Sequence, residues 1–401
     1  MTRGIASSAG VVTSAAVIMV AVFSILATLS IVDLKMLGVG SRGELMTSGQ
    51  NRAARTFTVV DGESIRYILM SNLSTIWRVI RDAYVAHEQG KTVNPHSVFL
   101  RFGDESPNRI IALPAYVATA ETAGIKWISS FPENIDAGLP RASAVLILND
   151  VYTGYPFACL EATTISAVRT AMSAVICLEE LHGGRQLSSL GVVGCGYIAA
   201  MLFRILAAGN WQIGEMLIHD IRPERVNSFA RMTAQLFPGA RVETDLGLPQ
   251  TIARGAAILF ATTAARPYIS DVSLFEHNPV VLHLSLRDLD PAILDISQNI
   301  VDDPDHVLRA GTSLDKARER ATDELVIDGS IGDLILQRLR RDPARPTVVS
   351  PFGLGMLDVA LGAFVYMQAV AAGLAIDVPS FFPAADTRGI GSESEASGQE
   401  K

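Results

Sequence analysis

One segment of the chain constrains its fold more than any other: a short apolar strand that enters a helix through closely spaced small residues. Residues 190–199 read LGVVGCGYIA, which fits the pattern G-x-G-x-x-A. In such a turn Gly194 permits the tight bend, Gly196 lets a pyrophosphate approach the backbone and the helix N-terminus, and Ala199 lets the helix pack on the strand. The segment therefore predicts a dinucleotide-binding domain. The expected cofactor contacts in this turn are Gly194, Gly196, Tyr197 and Ile198.

The residue that ends the next predicted strand indicates which dinucleotide is bound. Asp220 lies 26 residues after Gly194, and a carboxylate there can bind the ribose 2′-hydroxyl of NAD and repel the 2′-phosphate of NADP. Arg222 could instead meet a 2′-phosphate, so NADP stays open as an alternative while NAD is favoured. Cys195, in the turn itself, is interpreted as a small side chain that fits rather than as a redox group.

The pattern of elements changes along the chain. From Ser188 onward, short apolar strands alternate with helices, which is typical of a doubly wound parallel sheet. The strands predicted there are residues 190–193, 215–219, 241–244, 256–261 and 280–284. The periodicity therefore predicts an α/β protein whose second half is a Rossmann domain over residues 186–342.

The first half predicts a different architecture. A helical apolar stripe covers residues 64–90, and a second helix at 163–181 ends at Gly183-Gly184. Between them, consecutive strands without intervening helices indicate an antiparallel or mixed sheet. The strands predicted there are residues 97–101, 109–117, 124–131, 143–148 and 157–160. We therefore expect an α+β domain over residues 56–185, a further helix at 356–372, and a disordered tail at 386–401.

Charge excludes one class of function and isolates one segment. The chain has 33 Lys+Arg against 41 Asp+Glu, a formal net charge of −8, which argues against a nucleic-acid binder. Residues 4–32 carry no charged side chain and are long enough to cross a bilayer core of roughly 30 Å. For residues 1–50 three interpretations are open: a membrane anchor with its linker, a signal peptide, or a misassigned start that should lie at Met46.

Cysteine and histidine usage points to a cytoplasmic protein without a metal. Three cysteines without a pattern do not make a disulfide framework, so a reducing compartment is expected. The seven histidines form no HExxH motif or Cys/His cluster. Asp302, Asp303 and Asp305 are interpreted as an acidic loop and helix cap rather than a cation site. We expect contact with a membrane only if residues 4–32 are a genuine anchor.

Four charged residues are candidates for contact with a substrate. Arg101 closes a predicted strand, Lys126 lies in the strand GIKWISSF, and Arg169 falls inside the helix TISAVRTAMSA, and a charge among apolar neighbours usually needs a partner. Asp288 follows a late strand of the Rossmann half, and ligands bind at the carboxyl ends of such strands. Surface exposure, an internal ion pair or, for Asp288, a helix cap are the alternatives.

These residues, in this order, resemble the ornithine cyclodeaminase/μ-crystallin family over most of residues 57–378. The resemblance implies a substrate and dimerisation domain paired with the Rossmann domain, with residues 343–385 returning to the first domain, in a homodimer that binds NAD and a small amino-acid substrate. It makes Lys126 and Asp288 acid/base groups and Arg101 and Arg169 carboxylate binders, with Arg169 also near the cofactor. The nucleotide contacts that it adds are Ser143, Thr262 and Ser285.

Within the family, several strings resemble the branch of dehydrogenases that make 2,3-diaminopropionate for siderophores and peptide antibiotics. These strings are NPHSVFLR at 94–101, RIIALPA at 109–115, GIKWISSFP at 124–132, LPRASA at 139–144, HLSLRDL at 283–289 and NIVDD at 299–303. True cyclodeaminases usually carry Gly-Ala-Asp where this chain has Leu286-Arg287-Asp288. Arg287 is an additional cation, which suits a substrate with more carboxylates.

The resemblance to this branch implies oxidation of N-(1-amino-1-carboxy-2-ethyl)-L-glutamate, a secondary amine with three carboxylates, by NAD+ and water. The products would be 2-oxoglutarate, L-2,3-diaminopropionate and NADH. An ornithine or lysine cyclodeaminase or an imine reductase is the alternative. A non-catalytic ligand-binding role, known within the family, is a second alternative, against which the pair Lys126 and Asp288 argues.

Overall fold

The computed structural model describes residues 56–103, 106–309, 311–320 and 327–382. The interpretations placed on residues 4–32, Met46 and the tail 386–401 lie outside these ranges. Residues 56–381 form one compact unit. Within the described part of the chain, no helix combines the length and the apolar character needed to span a membrane.

The first sheet is mixed, as the succession of strands predicts. Its strands are β1 (Phe57–Val60), β2 (Thr92–Val93), β3 (Val98–Arg101), β4 (Arg109–Val117), β5 (Thr122–Ser130), β6 (Ala142–Asp150), β7 (Pro156–Glu161) and β16 (Ile376–Val378). The order is β16-β1-β7-β6-β5-β4-β2, with β3 also paired to β4. Only the β1–β7 pair is parallel; the long central strands β4 to β7 form an antiparallel meander.

The predicted helix at 64–90 is two helices in the structure, α1 (Gly62–Ser71) and α2 (Leu73–Glu88). Asn72, with φ −128°, leaves the helical conformation, and its side-chain amide donates to the carbonyl of Ile68 at 2.7 Å. The apolar period continues across this break because both helices bury their stripes in one core. Periodicity therefore identified the buried face correctly and the continuity wrongly.

The helix α3 (Thr163–His182) lies at the centre of the molecule. Fifteen of its 20 residues are buried, and most of these are small or apolar. It packs against both sheets and against the first helix of the nucleotide-binding half. It ends at Gly183, whose φ of 66° provides the left-handed cap that the double glycine predicts.

The second sheet is entirely parallel. Its strands are β8 (Gln186–Val193), β9 (Gln212–His219), β10 (Arg241–Glu243), β11 (Ala257–Phe260), β12 (Val280–His283), β13 (Gln298–Val301), β14 (Gly329–Ser330) and β15 (Thr347–Ser350), in the order β10-β9-β8-β11-β12-β15-β13-β14. The five strands predicted there are all present. The longer helices around it are α4 (Tyr197–Ala208), α5 (Pro223–Leu236), α6 (Leu248–Arg254) and α9 (Ser313–Arg320). Shorter helices are α7 (Pro291–Asp295), α8 (Pro304–Val307) and α10 (Ile331–Ile335), with 3-10 turns at Ala118–Ala120, Pro132–Ile135 and Val272–Phe275.

The expected boundary between residues 342 and 343 needs a correction. Residues 347–350 form β15, which is inserted between β12 and β13 of the second sheet, so the Rossmann half extends past 342. The return to the first half begins after this strand. Helix α11 (Gly355–Ala371) packs on β4 and β5, and β16 pairs with β1. The short apolar strand was missed because its two partners are remote in sequence.

Candidate active site

Lys126 lies in the middle of β5 with its side chain on the covered face of the first sheet. Its residue surface is only 1% exposed. The ammonium Nζ donates to Oδ2 of Asp358 at 2.6 Å and to Oγ of Ser166 at 3.1 Å. A strand, α3 and α11 therefore meet around one amine, which is held by hydrogen bonds from two sides.

The surroundings of Lys126 favour its neutral form. Burial, followed by the positive charge of Arg169, lowers the pKa of Lys126 to about 8, although Asp358 opposes the shift. An amine with this pKa can act as a base near neutral pH, which an exposed lysine cannot. Lys126 thus has the electrostatic property that an acid/base role requires.

Asp358 is the residue that sequence reasoning missed. It is fully buried in the first turn of α11, and its Oδ1 accepts a hydrogen bond from Nε of Arg169 at 3.2 Å. One carboxylate therefore bridges two cations that come from different elements. The sequence contained a signal for it, because Asp358 is the one charged residue in the apolar run GMLDVALGAFV. A single charge among apolar neighbours is the criterion that also selected Arg169.

Arg169 also lies against a loop of the second sheet. Gly353 has φ +98°, and a Cβ there would come within 2.4 Å of Nη1 of Arg169. The carboxylate of buried Asp302 accepts the amides of Phe352 and Gly353 at 2.9 and 2.6 Å. Burial raises the pKa of Asp302, which those two amides partly offset. Asp302 thus holds the loop that borders Arg169.

The helix-cap interpretation is confirmed for Asp303. The side chain of Asp303 accepts the amides of Asp305 and His306 at the start of α8. Over the ranges that the structure describes, no three side chains of His, Cys, Asp or Glu come together as a metal site.

Asp288 is the centre of a second buried cluster. Its Oδ1 accepts hydrogen bonds from the hydroxyls of Thr262 and Tyr268, the latter at 3.0 Å, and its Oδ2 accepts one from Ser285. Nε2 of His283 lies 3.3 Å from Oδ2 and 3.2 Å from the amide nitrogen of Asp288, so one ring nitrogen can serve only one of these contacts at a time.

These hydrogen bonds set the charge state of Asp288. Burial raises its pKa, but the contacts with His283, Ser285 and Thr262 outweigh burial, and the pKa lies below its usual value. The carboxylate is therefore ionised at neutral pH and can accept a proton. Thr262 and Ser285, predicted as nucleotide contacts, are the hydroxyls that hold it; their contact with a nucleotide stays a prediction.

The backbone between Ser285 and Asp288 is strained. Leu286 has φ +65°, in the left-handed region that favours glycine, and its carbonyl accepts the amide of Ser313 at 2.7 Å. The resemblance given above implies that cyclodeaminases usually carry glycine at this position, and glycine has no such strain. The difference from Gly-Ala-Asp thus changes the backbone energetics as well as the charge beside Asp288.

The two clusters border the same loop. Oγ of Ser350 lies 3.3 Å from Nδ1 of His283, whose other ring nitrogen contacts Asp288. Three residues later, Gly353 lies against Arg169. The loop that follows β15 therefore connects the Lys126 and Asp288 clusters at the carboxyl edge of the second sheet, where ligands bind in open α/β sheets.

The glycine turn has the geometry that its sequence predicts. Gly194 has φ +99°, and a Cβ there would lie 2.6 Å from the carbonyl oxygen of Ala261, so only glycine fits. Gly196 caps α4, and a Cβ there would meet nothing closer than that same oxygen at 3.9 Å. Because no packing requires a glycine at 196, the open space fits a phosphate at the helix N-terminus. Tyr197 is exposed there and Ile198 packs inward.

Asp220 lies beside this turn, directly after β9. Its Oδ2 accepts the amide of Cys195 at 2.8 Å and its Oδ1 the amide of Arg222 at 2.9 Å, and each oxygen keeps a second lone pair for a ribose hydroxyl. Burial, with Asp220 adding to it, raises the pKa of the Cys195 thiol to about 12. The protonated thiol agrees with the interpretation of Cys195 as a small filling side chain.

The remaining predicted residues lie farther from Lys126. Arg101 is exposed at the end of β3, 5.5 Å from the ring of Phe99, so the cation that acts on Lys126 is Arg169. Arg287 is half-buried, and burial, followed by the charge of Arg101, lowers its pKa. Ser143 is exposed and pairs with Ser129 on the opposite face of the sheet from Lys126; its proposed nucleotide contact stays a prediction.

Comparisons with known proteins agree with this architecture. A family model described as the ornithine cyclodeaminase/mu-crystallin family matches residues 66–373. The N-((2S)-2-amino-2-carboxyethyl)-L-glutamate dehydrogenase of Staphylococcus aureus (strain NCTC 8325 / PS 47) is 26% identical over 306 residues, 72% of this chain and 88% of that protein.

Two solved structures share the fold. The Thermococcus litoralis Delta(1)-pyrroline-2-carboxylate reductase, in complex with NADH and L-proline, aligns with a TM-score of 0.72 at 20% identity, over 80% of this chain and 99% of that one. An archaeal alanine dehydrogenase dimer with bound NAD aligns with a TM-score of 0.72 at 24% identity, over 82% of this chain and all of that one (100%).

The bridging role of Asp358 predicts a large loss of stability on its removal. Asp358→Asn should lower the free energy of unfolding by about 3–5 kcal/mol, because it leaves two buried cations without their counter-charge. Urea denaturation followed by circular dichroism measures the loss. The matched control, Asp245→Asn at an exposed site, should change it by less than about 0.5 kcal/mol. Adding Lys126→Met to Asp358→Asn should recover part of the loss; equal small effects for both aspartates would contradict the bridging role.

Proposed function

This chain belongs to the ornithine cyclodeaminase/mu-crystallin family, and on that premise we propose that it oxidises N-((2S)-2-amino-2-carboxyethyl)-L-glutamate with NAD+ and water. The products are L-2,3-diaminopropionate, 2-oxoglutarate, NADH and one proton, and the diamino acid supplies a siderophore or peptide precursor. The observation that carries the proposal is Lys126, buried beside Arg169 with a pKa of about 8. The similarity to the Staphylococcus aureus dehydrogenase supports the choice of substrate.

The general activity is that of an NAD-dependent enzyme acting on a C–N bond. Gly194 and Gly196 leave room for the pyrophosphate at the start of α4, and Asp220 offers oxygens to the ribose. When bound, NAD+ accepts a hydride from the substrate carbon. The carboxylate of Asp220 supports NAD over NADP, while Arg222 lies 3.9 Å from exposed Asp136 rather than in the turn.

The chain's own residues supply the proton transfers. Neutral Lys126 takes the proton of the secondary amine as the hydride leaves the glutamyl α-carbon, so that a C=N bond forms. Lys126 returns that proton to the nitrogen while water adds to the carbon and gives a proton to the ionised carboxylate of Asp288. Asp288 then protonates the nitrogen again as the C–N bond breaks, and Lys126 takes the proton of the new hydroxyl group, which releases the keto acid and the diamino acid.

Cations orient the carboxylates of the substrate. Arg169 is fixed by Asp358 and by the backbone at Gly353, so its guanidinium is a preorganised site for the carboxylate next to the reacting carbon. Arg101 and Arg287 lie close enough for the charge of one to affect the pKa of the other. A substrate with three carboxylates matches this concentration of positive charge better than ornithine, which carries one carboxylate and a second amine.

The alternatives remain within the family. An ornithine or lysine cyclodeaminase or an imine reductase would use the same Lys126 and Asp288, but the strained Leu286 and the charge of Arg287 distinguish this loop from Gly-Ala-Asp. A non-catalytic ligand-binding protein has no use for a buried lysine whose pKa is lowered to about 8 together with a buried, ionised carboxylate.

A homodimer is supported by the open face of the first sheet. The face opposite Lys126 exposes four large apolar side chains on neighbouring strands: Val98, Leu100, Trp127 and Val145. Contiguous exposed apolar surface of this kind marks an interaction site. We infer that a second copy of the chain covers it.

The function is tested by one assay. Incubation of the protein with NAD+ and synthetic N-((2S)-2-amino-2-carboxyethyl)-L-glutamate should give NADH, 2-oxoglutarate and L-2,3-diaminopropionate in equal amounts. Absorbance at the NADH band and chromatography of the products measure them. Ammonia released from ornithine or lysine without net NADH would support the cyclodeaminase instead. Binding of nucleotide with no turnover of any of these substrates would support the ligand-binding alternative.

Lys126 predicts the pH dependence of this reaction. Only the neutral amine accepts a proton, and its pKa is about 8, so kcat/KM should rise with pH through about 8 and then level off. Lys126→Ala should reduce kcat by about 10²–10⁴-fold and abolish that rise, with NAD binding unchanged by titration calorimetry. Lys126→Arg keeps the charge but cannot act as a base, so it should be equally inactive. An active arginine variant would remove Lys126 from the chemistry.

The dimer predicts the effect of a charge on the open sheet face. Trp127→Glu should convert the dimer to a monomer, because each interface would bury an unpaired carboxylate. Light scattering coupled to gel filtration measures the mass. Ile221→Glu replaces a 91% exposed apolar side chain in the other half and should leave the mass unchanged. A wild-type monomer, or a Trp127→Glu dimer, would contradict the interface.

A further inference from the structure

Several arginines of the first sheet lie in one row across its strands. The antiparallel register pairs Arg101 with Arg109, Arg109 with Ser130, and Ser130 with Ala142. Directly paired residues project from the same face of a sheet. Arg141 joins this row from the residue before β6, and its Nη1 donates to Oγ of Ser130 at 2.8 Å.

This row faces the same side as Lys126. Ser130 follows Lys126 on β5 by an even number of residues, and side chains alternate along a strand, so both project from the same face. Four residues of extended chain separate their backbones by about 13 Å. The long side chain of Arg109 can shorten that distance. If the reacting carbon of a substrate lies at Lys126, the arginines of the row can contact a group at the other end of that substrate.

Arg109 has a donor without an acceptor. Its side chain is half-buried, and among the residues that the structure describes its buried Nε has no hydrogen-bond partner. Neither Arg109 nor Arg141 forms an ion pair within that part of the chain. A buried donor without an acceptor destabilises the folded protein, and a bound ligand that accepts a hydrogen bond from this Nε would remove that destabilisation.

The charges around Arg109 favour an anion. Burial, followed by the charges of Arg287, Arg141 and Arg101, lowers the pKa of Arg109. Burial also lowers the pKa of Arg141. Guanidinium groups stay protonated in proteins, so the mutual repulsion is relieved by a bound anion rather than by loss of a proton. A carboxylate fits the planar fork of an arginine in a bidentate pair.

We propose that Arg109 and Arg141 form a second carboxylate site, which binds a carboxylate of the substrate remote from the carbon that is oxidised. The proposal rests on the proposed function. It adds two arginines to the inner site formed by Lys126 and Arg169. Arg109 supplies the free donors, and Ser130 orients Arg141. The site selects substrates with an additional acidic group and disfavours simple monocarboxylate amino acids.

The test compares three substrates in wild-type and variant proteins. N-(2-aminoethyl)-L-glutamate lacks the carboxylate of the diaminopropionate half, and N-((2S)-2-amino-2-carboxyethyl)-L-2-aminobutyrate lacks the side-chain carboxylate of the glutamyl half. With the full substrate, Arg109→Gln should lower kcat/KM about ten- to a hundredfold, mainly by raising KM. One of the two analogues lacks the carboxylate that binds at Arg109. With that analogue, kcat/KM of the wild type should already be lower than with the full substrate, and Arg109→Gln should not lower it further.

Controls separate binding from folding. Arg109→Lys keeps the charge without the planar fork and should lose less, and Arg141→Gln should follow the same substrate pattern as Arg109→Gln. Arg204→Gln, at an exposed position of α4, should change nothing. An equal loss with all three substrates would show that Arg109 acts only through the structure, and no loss with the full substrate would also overturn the proposal.

The second site is tested separately from the reaction. Binding of tricarballylate to the NAD-loaded protein, measured by calorimetry, does not depend on turnover. If the wild type fails to oxidise the full substrate but binds tricarballylate, and Arg109→Gln weakens that binding about tenfold or more, the proposed function fails while the carboxylate site stands. Equal binding by wild type and variant overturns the carboxylate site even if the enzyme turns over its substrate.

Discussion

The carboxylate of Asp358, shared between Lys126 and Arg169, is the interaction on which the active site depends. The three residues come from a strand, α11 and α3, so the contacts at 2.6 and 3.2 Å fix three elements at one point. Replacing a buried ion pair by apolar packing of the same volume is often neutral or stabilising, so stability alone does not account for this arrangement. Its consequence is chemical: burial and the charge of Arg169 lower the pKa of Lys126 to about 8, although Asp358 opposes the shift.

The cluster of Lys126, Asp358 and Arg169 also lies where the two halves of residues 56–381 meet. Helix α3, which carries Arg169, packs on both sheets, and the loop after β15 passes from Ser350, beside His283, to Gly353, beside Arg169. Asp302 fixes that loop through two backbone amides. The strand β15 thus has a functional consequence: its insertion between β12 and β13 brings the end of the Rossmann sheet to the amine on the other domain.

What the sequence could predict was local. The glycine turn, the alternation of strands and helices, and the isolated charges at 126 and 169 are each read within a few residues. The structure confirms the turn and the alternation, whereas it shows both charges in an internal ion pair with Asp358, so their contact with a substrate stays a prediction. The position of β15, the break at Asn72 and the bridging by Asp358 depend on partners tens to hundreds of residues away, which one sequence does not specify. Thr262 and Ser285 illustrate a different limit: their position near the site was predictable, but their hydrogen bonds to Asp288 depend on side-chain geometry.

Charge distribution ties these observations to the substrate. The chain as a whole carries a net charge of −8, yet Lys126 and Arg169 share one carboxylate. Four arginines lie near enough to one another for their charges to lower the pKa values of Arg109 and Arg287. These arginines are Arg101, Arg109, Arg141 and Arg287. Among the residues that the structure describes, Arg109 and Arg141 form no ion pair, so positive charge is concentrated at this end of the sheet. An anion with several negative groups would be attracted there, and a single carboxylate could not reach both the inner pair at Lys126 and the row at Arg109. The separation of these two sets along β5 thus supports the proposed substrate, which is longer and more acidic than a simple amino acid.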